Sequence, residues 1–496
     1  MAFVPIDLPA GVYKNGTDLE GQNRWQNASL VRWRDNTMRP VNGWTSHKTG
    51  FTTNPVRGFH IWESNDGSRY YAGGSYNELK IGSTDGTITD ITPSDLTAGL
   101  EHSDISVGYG TGTYGSGTYG TSRQNNTYTE VNTWSLDNWG EYLVACSTGD
   151  GRLLEWDLNP ANNAAAISNA PTNCTGLLVT EERIMFALGA GGNPRKIQWS
   201  DYQDNTTWSP TVSNQAGDVE LQTSGQIMQG IRTRGQVLVL TDIDAHSMRY
   251  TGPPFVYSNQ RVGTACGAIS RAAAVDTDAG VFWMGQRDFH AFDGNIVRTL
   301  PCDVHDHVYG ELQGKNQTKA WAFNNSEFGE VWWFYQSTAQ ASETGEIDKY
   351  VAYNYKENYW HIGELSRTAG GPRGVYANPL LIDATDVYKH EVAGSGAENM
   401  FAETAPMQMG NGENVLHVTS FVADEKTKGD VQVTFTTKLY PNENAADERT
   451  FGPFDPLTPT GVRLSGRQMK MRLDFDDGAD FRFGVMRLDT IQGGKR

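Results

Sequence analysis

The residues best suited to chemistry lie close together at Cys302, Asp303, His305, Asp306 and His307. Thiolate, imidazole and carboxylate groups are the ligands that zinc and related metals prefer. His305 and His307 would share one face of a strand, because side chains two residues apart point the same way. The sequence offers no second cluster of ligands to complete a site. We therefore interpret this run as a solvated loop and predict no metal and no cofactor.

Two turns, Ser64–Gly67 and Ser83–Thr87, resemble the Asp-box turns of sialidases. Asn-Gly and Asp-Gly are, however, the ordinary hairpin turns of any β-protein. A sialidase site also needs converging arginines, a Tyr–Glu nucleophile pair and an acid, and the sequence offers no such set. Phosphate-binding G-x-x-x-x-G-K-[ST] and metalloprotease H-E-x-x-H motifs are missing as well. We predict no catalytic residues and a protein that is not an enzyme.

The cysteines indicate folding in a reducing compartment. Cys146, Cys174, Cys266 and Cys302 form no C-x-x-C pair and are too few for a disulfide scaffold in 496 residues. Residues 1–9 lack the basic and long apolar stretches of a signal peptide. No apolar run approaches the ~20 residues of a membrane-spanning helix. We expect a protein made in the cytoplasm, with no membrane-spanning segment.

The composition favours strands and excludes a protein that binds nucleic acid over its whole surface. Charged residues make up only 20%, whereas aromatic residues reach 11% and glycines number 55, which suits short strands and tight turns better than helices. The formal net charge is −18, opposite to the charge that a phosphate-binding surface needs. Residues 1–55 carry +2, so the rest of the chain carries −20.

From residue 56 to 393, short apolar or aromatic runs alternate with Asp-Gly or Gly-rich turns. The first block places four short strands in residues 59–91. The blocks of similar pattern that follow are Tyr142–Trp156, Arg183–Trp199, Val237–Tyr250, Val281–Gly294 and Val331–Tyr353. Four-stranded repeats of this kind indicate an all-β chain with a β-propeller of about six blades, and residues 373–392 are a candidate for closing the ring. A stack of β-sandwiches would produce a similar pattern, but the propeller is favoured.

The two ends of the chain differ from this repeat. Residues 1–55 are predicted to form an extended arm with one strand pair, in which Asp35-Asn36 makes the turn between Leu30–Arg34 and Met38–Val41. This segment is either an ordinary first strand or an arm that reaches an acidic neighbour. Residues 394–496 contain long alternating runs, which predict antiparallel strands with one wet face. We expect a small C-terminal β-sandwich there.

One insertion, the Gly/Tyr-rich loop 108–123, contains a Tyr-Gly pentapeptide repeated three times. So many glycines predict a long mobile loop, and its tyrosines offer contact area at low entropic cost. The loop is either a tolerated surface insertion or a docking or gating element. The candidate partner contacts predicted from the sequence are Arg32, Trp33, Arg34, Arg39, Tyr109, Tyr114 and Tyr119.

The segment Lys196–Gly252 contains a distinctive series of motifs. They are Trp199-Ser200-Asp201, Asp204, Trp208, Gln222–Ile231, Val237–Leu240 and Met248–Gly252. With these motifs the chain resembles the tail nozzle, or tail hub, proteins of short-tailed bacteriophages, which are also called packaged-DNA stabilisation proteins. Val31–Arg34, Arg39–Trp44 and Phe481–Ile491 also look like the ends of such proteins.

The resemblance implies a virion structural protein with a six-bladed propeller. Six copies would form a ring below the portal and its adaptor, extend and help to seal the DNA channel, and hold a tail fibre, spike or needle protein. An acidic lumen would repel phosphates, so that genomic DNA slides through without specific binding. We expect the chain in the virion tail, assembled in the host cytoplasm. The alternatives are a propeller tail protein that binds or cleaves a receptor glycan, and a cellular propeller scaffold.

Overall fold

Strands form almost all of the regular structure. The computed structural model describes residues 2–18, 20–108, 123–340, 344–393, 397–408, 412–424, 426–440, 443, 447–454 and 459–494. Helical segments in these ranges are short and comprise α1 (His305–Glu311) and the 3₁₀ turns Ala190–Gly192, Gly314–Lys319 and Thr338–Gln340. Within the same ranges, no helix has the length and apolar character needed to cross a membrane. The chain is all-β, as predicted.

The N-terminal residues form five strands. They are β1 (Ala2–Ile6), β2 (Trp25–Ser29), β3 (Val31–Arg34), β4 (Thr37–Pro40) and β5 (Gly43–Lys48). β3 and β4 pair as a hairpin, and the turn residues Asp35 and Asn36 have φ angles of 50° and 58°. Positive φ at both central residues matches the twist of the flanking strands. The predicted strand pair and its turn are confirmed.

Seven four-stranded antiparallel sheets follow, and each is one blade of a propeller. Blade 1 contains β6 (Phe59–Glu63), β7 (Arg69–Gly74), β8 (Leu79–Ser83) and β9 (Ile88–Asp90), and it is followed by the inserted pair β10 (Asp104–Gly108) and β11 (Arg123–Thr129). Blade 2 contains β12 (Trp134–Trp139), β13 (Tyr142–Ser147), β14 (Leu153–Trp156) and β15 (Ala165–Ala166). Blade 3 contains β16 (Gly176–Val179), β17 (Met185–Leu188), β18 (Lys196–Trp199) and β19 (Gly217–Glu220).

Blades 4 to 7 continue in chain order. Blade 4 contains β20 (Ile227–Thr233), β21 (Gln236–Thr241), β22 (Asp244–Gly252) and β23 (Val256–Thr264), and blade 5 contains β24 (Ala274–Thr277), β25 (Gly280–Met284), β26 (Phe289–Phe292) and β27 (Val297–Leu300). Blade 6 contains β28 (Trp321–Asn325), β29 (Glu330–Tyr335), β30 (Lys349–Asn354) and β31 (Tyr359–Glu364). Blade 7 contains β32 (Ala369–Gly371), β33 (Leu380–Asp383) and β34 (Asp386–Val392). The fourth strand of blade 7 is β5, which pairs with β34.

The seven blades close into a ring. Their inner strands contact one another in the order β6, β12, β16, β20, β24, β28, β32 and back to β6. A stack of separate sandwiches would not bring seven first strands around one axis. The predicted propeller is confirmed: the six sequence blocks lie in blades 1 to 6. The predicted closing segment 373–392 lies with β5 in a further blade that completes the ring, so the ring has seven blades where about six were predicted.

The inserted strands β10 and β11 lie between blades 1 and 2 and pair with each other. Residues 109–122, which connect them and include Tyr109, Tyr114 and Tyr119, lie outside the described residues. The prediction that these tyrosines contact a partner therefore stays a prediction.

The C-terminal residues form a two-sheet sandwich. Its strands are β35 (Phe401–Thr404), β36 (Met407–Gln408), β37 (Leu416–Ala423), β38 (Val431–Lys438), β39 (Asp447–Phe454), β40 (Thr460–Gly466), β41 (Gln468–Phe475) and β42 (Met486–Gln492). One sheet has the order β1-β42-β37-β40 and the other β2-β35-β41-β38-β39, with β36 beside β41. Phe421 and Phe435, one from each sheet, meet edge to face with ring centroids 6.4 Å apart.

The N-terminal segment therefore enters three larger sheets. β1 and β2 each complete one sheet of the sandwich, and β5 completes blade 7. Residues 1–55 are therefore an integral part of the fold, and the alternative that they reach an acidic neighbour stays a prediction. One continuous apolar core joins this segment, the sandwich and blades 5 to 7.

A buried arginine fixes the β3–β4 hairpin to the propeller. Arg32 Nη2 lies 2.6 Å from Glu391 Oε1 in blade 7 and 3.3 Å from Glu330 Oε2 in blade 6. The guanidinium also stacks on the ring of Phe328, 3.7 Å from its centroid. Burial by itself would raise the pKa of Glu330, but the charge of Arg32 holds that pKa below its ordinary value. The pairing keeps the buried carboxylate of Glu330 ionised.

Two predicted partner contacts need correction. Arg32 and Trp33 are only 3% and 2% exposed, so their contacts lie within the chain. Trp33 packs against Trp25 and Tyr359 because β3 sits between the sandwich and blade 6. Arg34 is exposed and Arg39 is half-buried, so Arg34 remains available to a partner.

Replacing Arg32 with Met should strongly destabilise the fold. The variant leaves Glu330 and Glu391 buried without their cation, and breaking a buried ion pair costs about 3–5 kcal/mol. Arg34→Met, on the same strand but exposed, should change the free energy of unfolding by less than about 0.5 kcal/mol. Urea titration followed by tryptophan fluorescence measures both. Equal midpoints for the two variants would contradict this account of Arg32.

Candidate functional site

A cavity on the propeller axis is the candidate functional site. Its volume is about 410 Å³, and residues from or just before the inner strands of all seven blades line it. Its apolar wall includes Phe59, Trp134, Leu178, Ile231 and Trp321. Propeller ligands are expected where inner strands converge, because side chains from many blades meet there.

Arg57 and Arg271 line the cavity where the chain enters the inner strands, which we call its mouth, and Arg57 belongs to a partly buried ion cluster there. Arg57 Nη2 donates to both carboxylate oxygens of Glu346, at 2.6 and 2.7 Å. Lys319 Nζ donates to Glu346 at 3.1 Å, to the carbonyl of Gly345 at 2.7 Å and to Nδ1 of His102 at 3.0 Å. The cluster joins blades 1 and 6 to the segment that leads into β10.

Burial and charge shift the pKa values of Lys319, His102 and Glu346 in this cluster. Burial, followed by the charge of Arg57, lowers the pKa of Lys319 to about 8. Burial, followed by the charge of Lys319, also lowers the pKa of His102, which fits a neutral imidazole accepting from Lys319. Burial opposes ionisation of Glu346, yet Arg57 and Lys319 hold its pKa below the ordinary value.

A second ion pair lies at the mouth between blades 2 and 5. Arg271 Nε donates to Glu130 Oε2 at 2.9 Å, and Arg271 Nη1 donates to the carbonyl of Ile227 at 2.7 Å. Gln226 donates to the other oxygen of Glu130 at 2.9 Å. The carboxylate of Glu130 is thus held by two donors.

The deeper part of the cavity is also occupied by paired groups. Arg232 Nη2 lies 3.0 Å from Asp137 Oδ1, and the backbone N–H of Val179 donates to Asp137 Oδ2 at 2.8 Å. His60 Nε2 lies 2.5 Å from Asn138 Oδ1. Asp137 therefore links blades 2, 3 and 4, and its ion pair with Arg232 is structural.

The two Asp-box-like turns are structural. In each, an aspartate accepts from a serine hydroxyl and from a backbone N–H two residues on: Asp66 from Ser64 and Ser68, and Asp85 from Ser83 and Thr87. These hydrogen bonds lower the pKa of both carboxyl groups. Both turns cap hairpins of blade 1, one between β6 and β7 and the other between β8 and β9.

The secondary structure at His305 and His307 differs from the one expected from the sequence. His305 and His307 lie in α1 and not in a loop or strand, and residues two apart on a helix point in different directions. His305 contacts Asp306, while His307 lies 3.3 Å from both Lys14 Nζ and Glu311 Oε1. In the part of the chain that the structure describes, no cluster of three or more metal-ligating side chains occurs.

The segment that carries the family resemblance forms scaffold. Asp204 accepts from Thr206 and Thr207, and Trp208 Nε1 donates to the carbonyl of Asn205 at 2.7 Å. Trp208 is buried beneath this turn. All four cysteines are free thiols, and burial raises the pKa of each. These groups are poor nucleophiles.

Sequence reasoning missed the mouth cluster. Arg57 and Glu346 lie 289 residues apart, and no local motif connects them. One signal was present: a basic residue precedes the inner strand in three blades, at Arg57, Arg271 and Lys319. Aligning the blades at their inner strands would have placed these three side chains around one axis.

Comparisons with known proteins assign the chain to no family. No family model matches it, and no curated protein matches it. Among solved structures, virginiamycin B lyase from Staphylococcus aureus is 8% identical, covers 70% of this chain and 98% of its own, and has a TM-score of 0.44. An exo-β-1,3-galactanase from Phanerochaete chrysosporium is 9% identical over 91% of this chain and 100% of its own, with a TM-score of 0.29. These similarities carry no functional assignment.

Removing Lys319 should change how stability depends on pH. The unfolded lysine keeps its proton up to its ordinary pKa of 10.5, whereas the folded one loses it near 8. Below pH 8 the buried charge therefore costs stability, and that cost is relieved as the pH rises. From pH 8 to 9.5, the wild type should gain on the order of 1–2 kcal/mol relative to Lys319→Met.

The control for this experiment is Lys356→Met, which removes an exposed lysine. Its free energy of unfolding should run parallel to that of the wild type over the same pH range. Parallel curves for the wild type and Lys319→Met would show that Lys319 has an ordinary pKa, contrary to the prediction.

Proposed function

We propose that the chain is a non-enzymatic structural protein of a phage virion, which forms a hexameric tail nozzle below the portal and adaptor. The observation that carries the proposal is the acidic surplus of −18 together with its location. Several buried carboxylates are matched by cations: Glu330 and Glu391 by Arg32, Glu78 by Lys80, and Asp137 by Arg232. The excess negative charge therefore lies mainly on the surface of the protein.

An acidic surface suits a protein that DNA must pass without binding. Like charges repel a phosphate backbone and prevent the counterion release that drives non-specific binding. The axial cavity of about 410 Å³ is lined by side chains from seven blades and is far too small to admit a duplex. The conduit in this proposal is the lumen of the ring that six copies enclose, and the propeller serves as a rigid wall.

Exposed apolar side chains supply candidate contacts for assembly. β22 and β23, each nine residues long, form the longest strands of the described chain, and Phe255 at their tip is 82% exposed. Phe3, on the edge strand β1, is 63% exposed. Large exposed apolar groups on strand edges and tips favour protein contacts.

A glycan-binding tail protein is the second candidate. A groove of about 610 Å³ on the outer part of blades 1 and 2 is lined by Tyr70, Arg69, Asp85 and Thr87. An aromatic ring beside charged and hydroxyl groups is a combination that can hold a sugar. This candidate places the binding surface at the rim of the propeller.

Native mass spectrometry tests the proposal directly. The 54.7 kDa chain, mixed with the portal and adaptor of the same phage, should give a species with six copies. Phe255→Ser should weaken assembly by about thirtyfold or more, since loss of a central aromatic contact typically costs about 2 kcal/mol or more. Val212→Ser, at an equally exposed loop residue, should assemble like the wild type.

Two results would contradict the nozzle proposal. The first is a chain that stays monomeric with portal and adaptor present. The second is specific binding of host envelope polysaccharide that Tyr70→Ala abolishes, which would favour the glycan-binding candidate.

A further inference from the structure

The hairpin of β22 and β23 reaches beyond the rest of blade 4. β21 pairs with β22 only from Ala245 to Met248, whereas β22 and β23 pair with each other as far as Gly252 and Val256. The end of the hairpin is therefore a two-stranded ribbon without a third strand beside it. Phe255 at its tip is 82% exposed. Such a side chain gains free energy when it leaves water for an apolar pocket.

Aromatic contacts hold this ribbon in place. Tyr250 and Tyr257 meet edge to face with ring centroids 5.5 Å apart, and Tyr257 packs on Trp199 of blade 3 at 5.4 Å. The hydroxyl of Tyr250 donates to Gln215 Oε1 at 2.8 Å. A group that is already positioned loses little conformational entropy when it meets a partner. Phe255 is therefore presented on a fixed support.

The groove on the outer part of blades 1 and 2 has room for an aromatic side chain. Its volume is about 610 Å³, and its apolar wall consists of Tyr70, Ile81, Trp156, Leu158 and Pro160. Tyr70 and Leu158 are half-buried and Pro160 is exposed, so that part of this wall is open to solvent. Exposed apolar surface of this kind favours a protein contact.

The fold places the hairpin tip and the groove at the same end of the propeller. The groove includes residues of the β8–β9 turn and of the β14–β15 connection, and the tip is the β22–β23 turn. All three join the third strand of a blade to the fourth, and these connections lie at one end of every blade. Copies that stand side by side with parallel axes therefore have tip and groove at one level.

The angle between the two sites suits a closed ring. The groove lies between blades 1 and 2 and the hairpin belongs to blade 4, which separates them by roughly 130° around a seven-bladed propeller. In a ring of six copies, the two neighbours of each copy lie about 120° apart as seen from its centre. One copy can therefore offer its tip to one neighbour and its groove to the other.

The charges of the two surfaces are complementary. Residues 245–264 of the hairpin contain Arg249 and Arg261 and no acidic residue. Residues 59–91 of blade 1 contain five acidic and two basic residues, and Asp85, which lines the groove, is exposed. Copies with a net charge of −18 repel one another over most of their surface. The hairpin approaches blade 1 of another copy without that repulsion.

We propose that Phe255 of one copy inserts into the groove between blades 1 and 2 of the next copy, and that this contact repeats around the ring. The inference rests on the proposed assembly of six copies and adds which surfaces meet. Tip and groove are different surfaces, so the contact is head-to-tail. A contact of that kind closes into a ring when its rotation matches the number of copies.

Disulfide cross-linking between copies tests the contact. A chain with both Phe255→Cys and Leu158→Cys, assembled with portal and adaptor and oxidised with copper phenanthroline, should give a ladder of up to six linked chains on a non-reducing gel. The two single variants keep the native cysteines and should give no ladder. Dimers from Phe255→Cys alone would show that two tips meet and would overturn the proposal.

Leu158→Asp tests the groove without a cysteine. Leu158 has a φ angle of 64°, a conformation that aspartate adopts more readily than leucine, so the variant should fold. Its carboxylate in the apolar wall should weaken assembly at least tenfold. Ala161→Asp is the matched control, because it adds the same charge at an exposed position of the same connection, outside the groove. This control should assemble like the wild type.

The combined variant Phe255→Ser/Leu158→Asp should lose no more than the more severe single variant, since both changes remove one contact. Losses that multiply would place Phe255 elsewhere. Normal hexamers with Leu158→Asp and no ladder from the double cysteine variant would overturn this contact and leave the nozzle proposal intact. A wild-type chain that stays monomeric with portal and adaptor would contradict both.

Discussion

The buried charge of Arg32 is the constraint on which the architecture depends. A guanidinium removed from water is stable only when carboxylates surround it, and here Glu330 comes from blade 6 and Glu391 from blade 7. The hairpin that carries Arg32 is thereby held at one position. From that position the chain runs backward into the sandwich through β2 and forward into blade 7 through β5.

This arrangement makes the sandwich and the propeller one folding unit. Tyr350 and Tyr359 of blade 6 bond to the backbone of Leu30 and Trp33, so the polar backbone of the hairpin is satisfied inside the core. A propeller closed by a strand from the opposite end of the sequence resists opening, because blade 7 cannot separate without removing β5.

The repeat pattern could be recognised in the sequence because a hairpin forms between residues that are close together in the chain. The Asp35-Asn36 turn, the six blocks and the alternating C-terminal strands each depend on residues close in sequence, and the structure has them as predicted. The pairing of β5 with β34 joins residues more than three hundred positions apart, and no local signal specifies such a partner. The same distance hid the contacts of Arg57 with Glu346. His305 and His307 were misread because a seven-residue helix is too short to show a period of its own.

The sequence by itself determined an all-β chain, a repeat of four-stranded units and an acidic surplus, because strand propensity, turn residues and charge are properties of neighbouring or summed residues. The tertiary structure decided which charges are buried. Arg32 and Arg34 stand two residues apart in one strand, yet one is enclosed by two carboxylates and the other faces solvent. This difference arises when the ring closes and blades 6 and 7 enclose Arg32. Closure also places seven inner strands around one axis, so that basic residues far apart in the sequence lie at the mouth of one cavity.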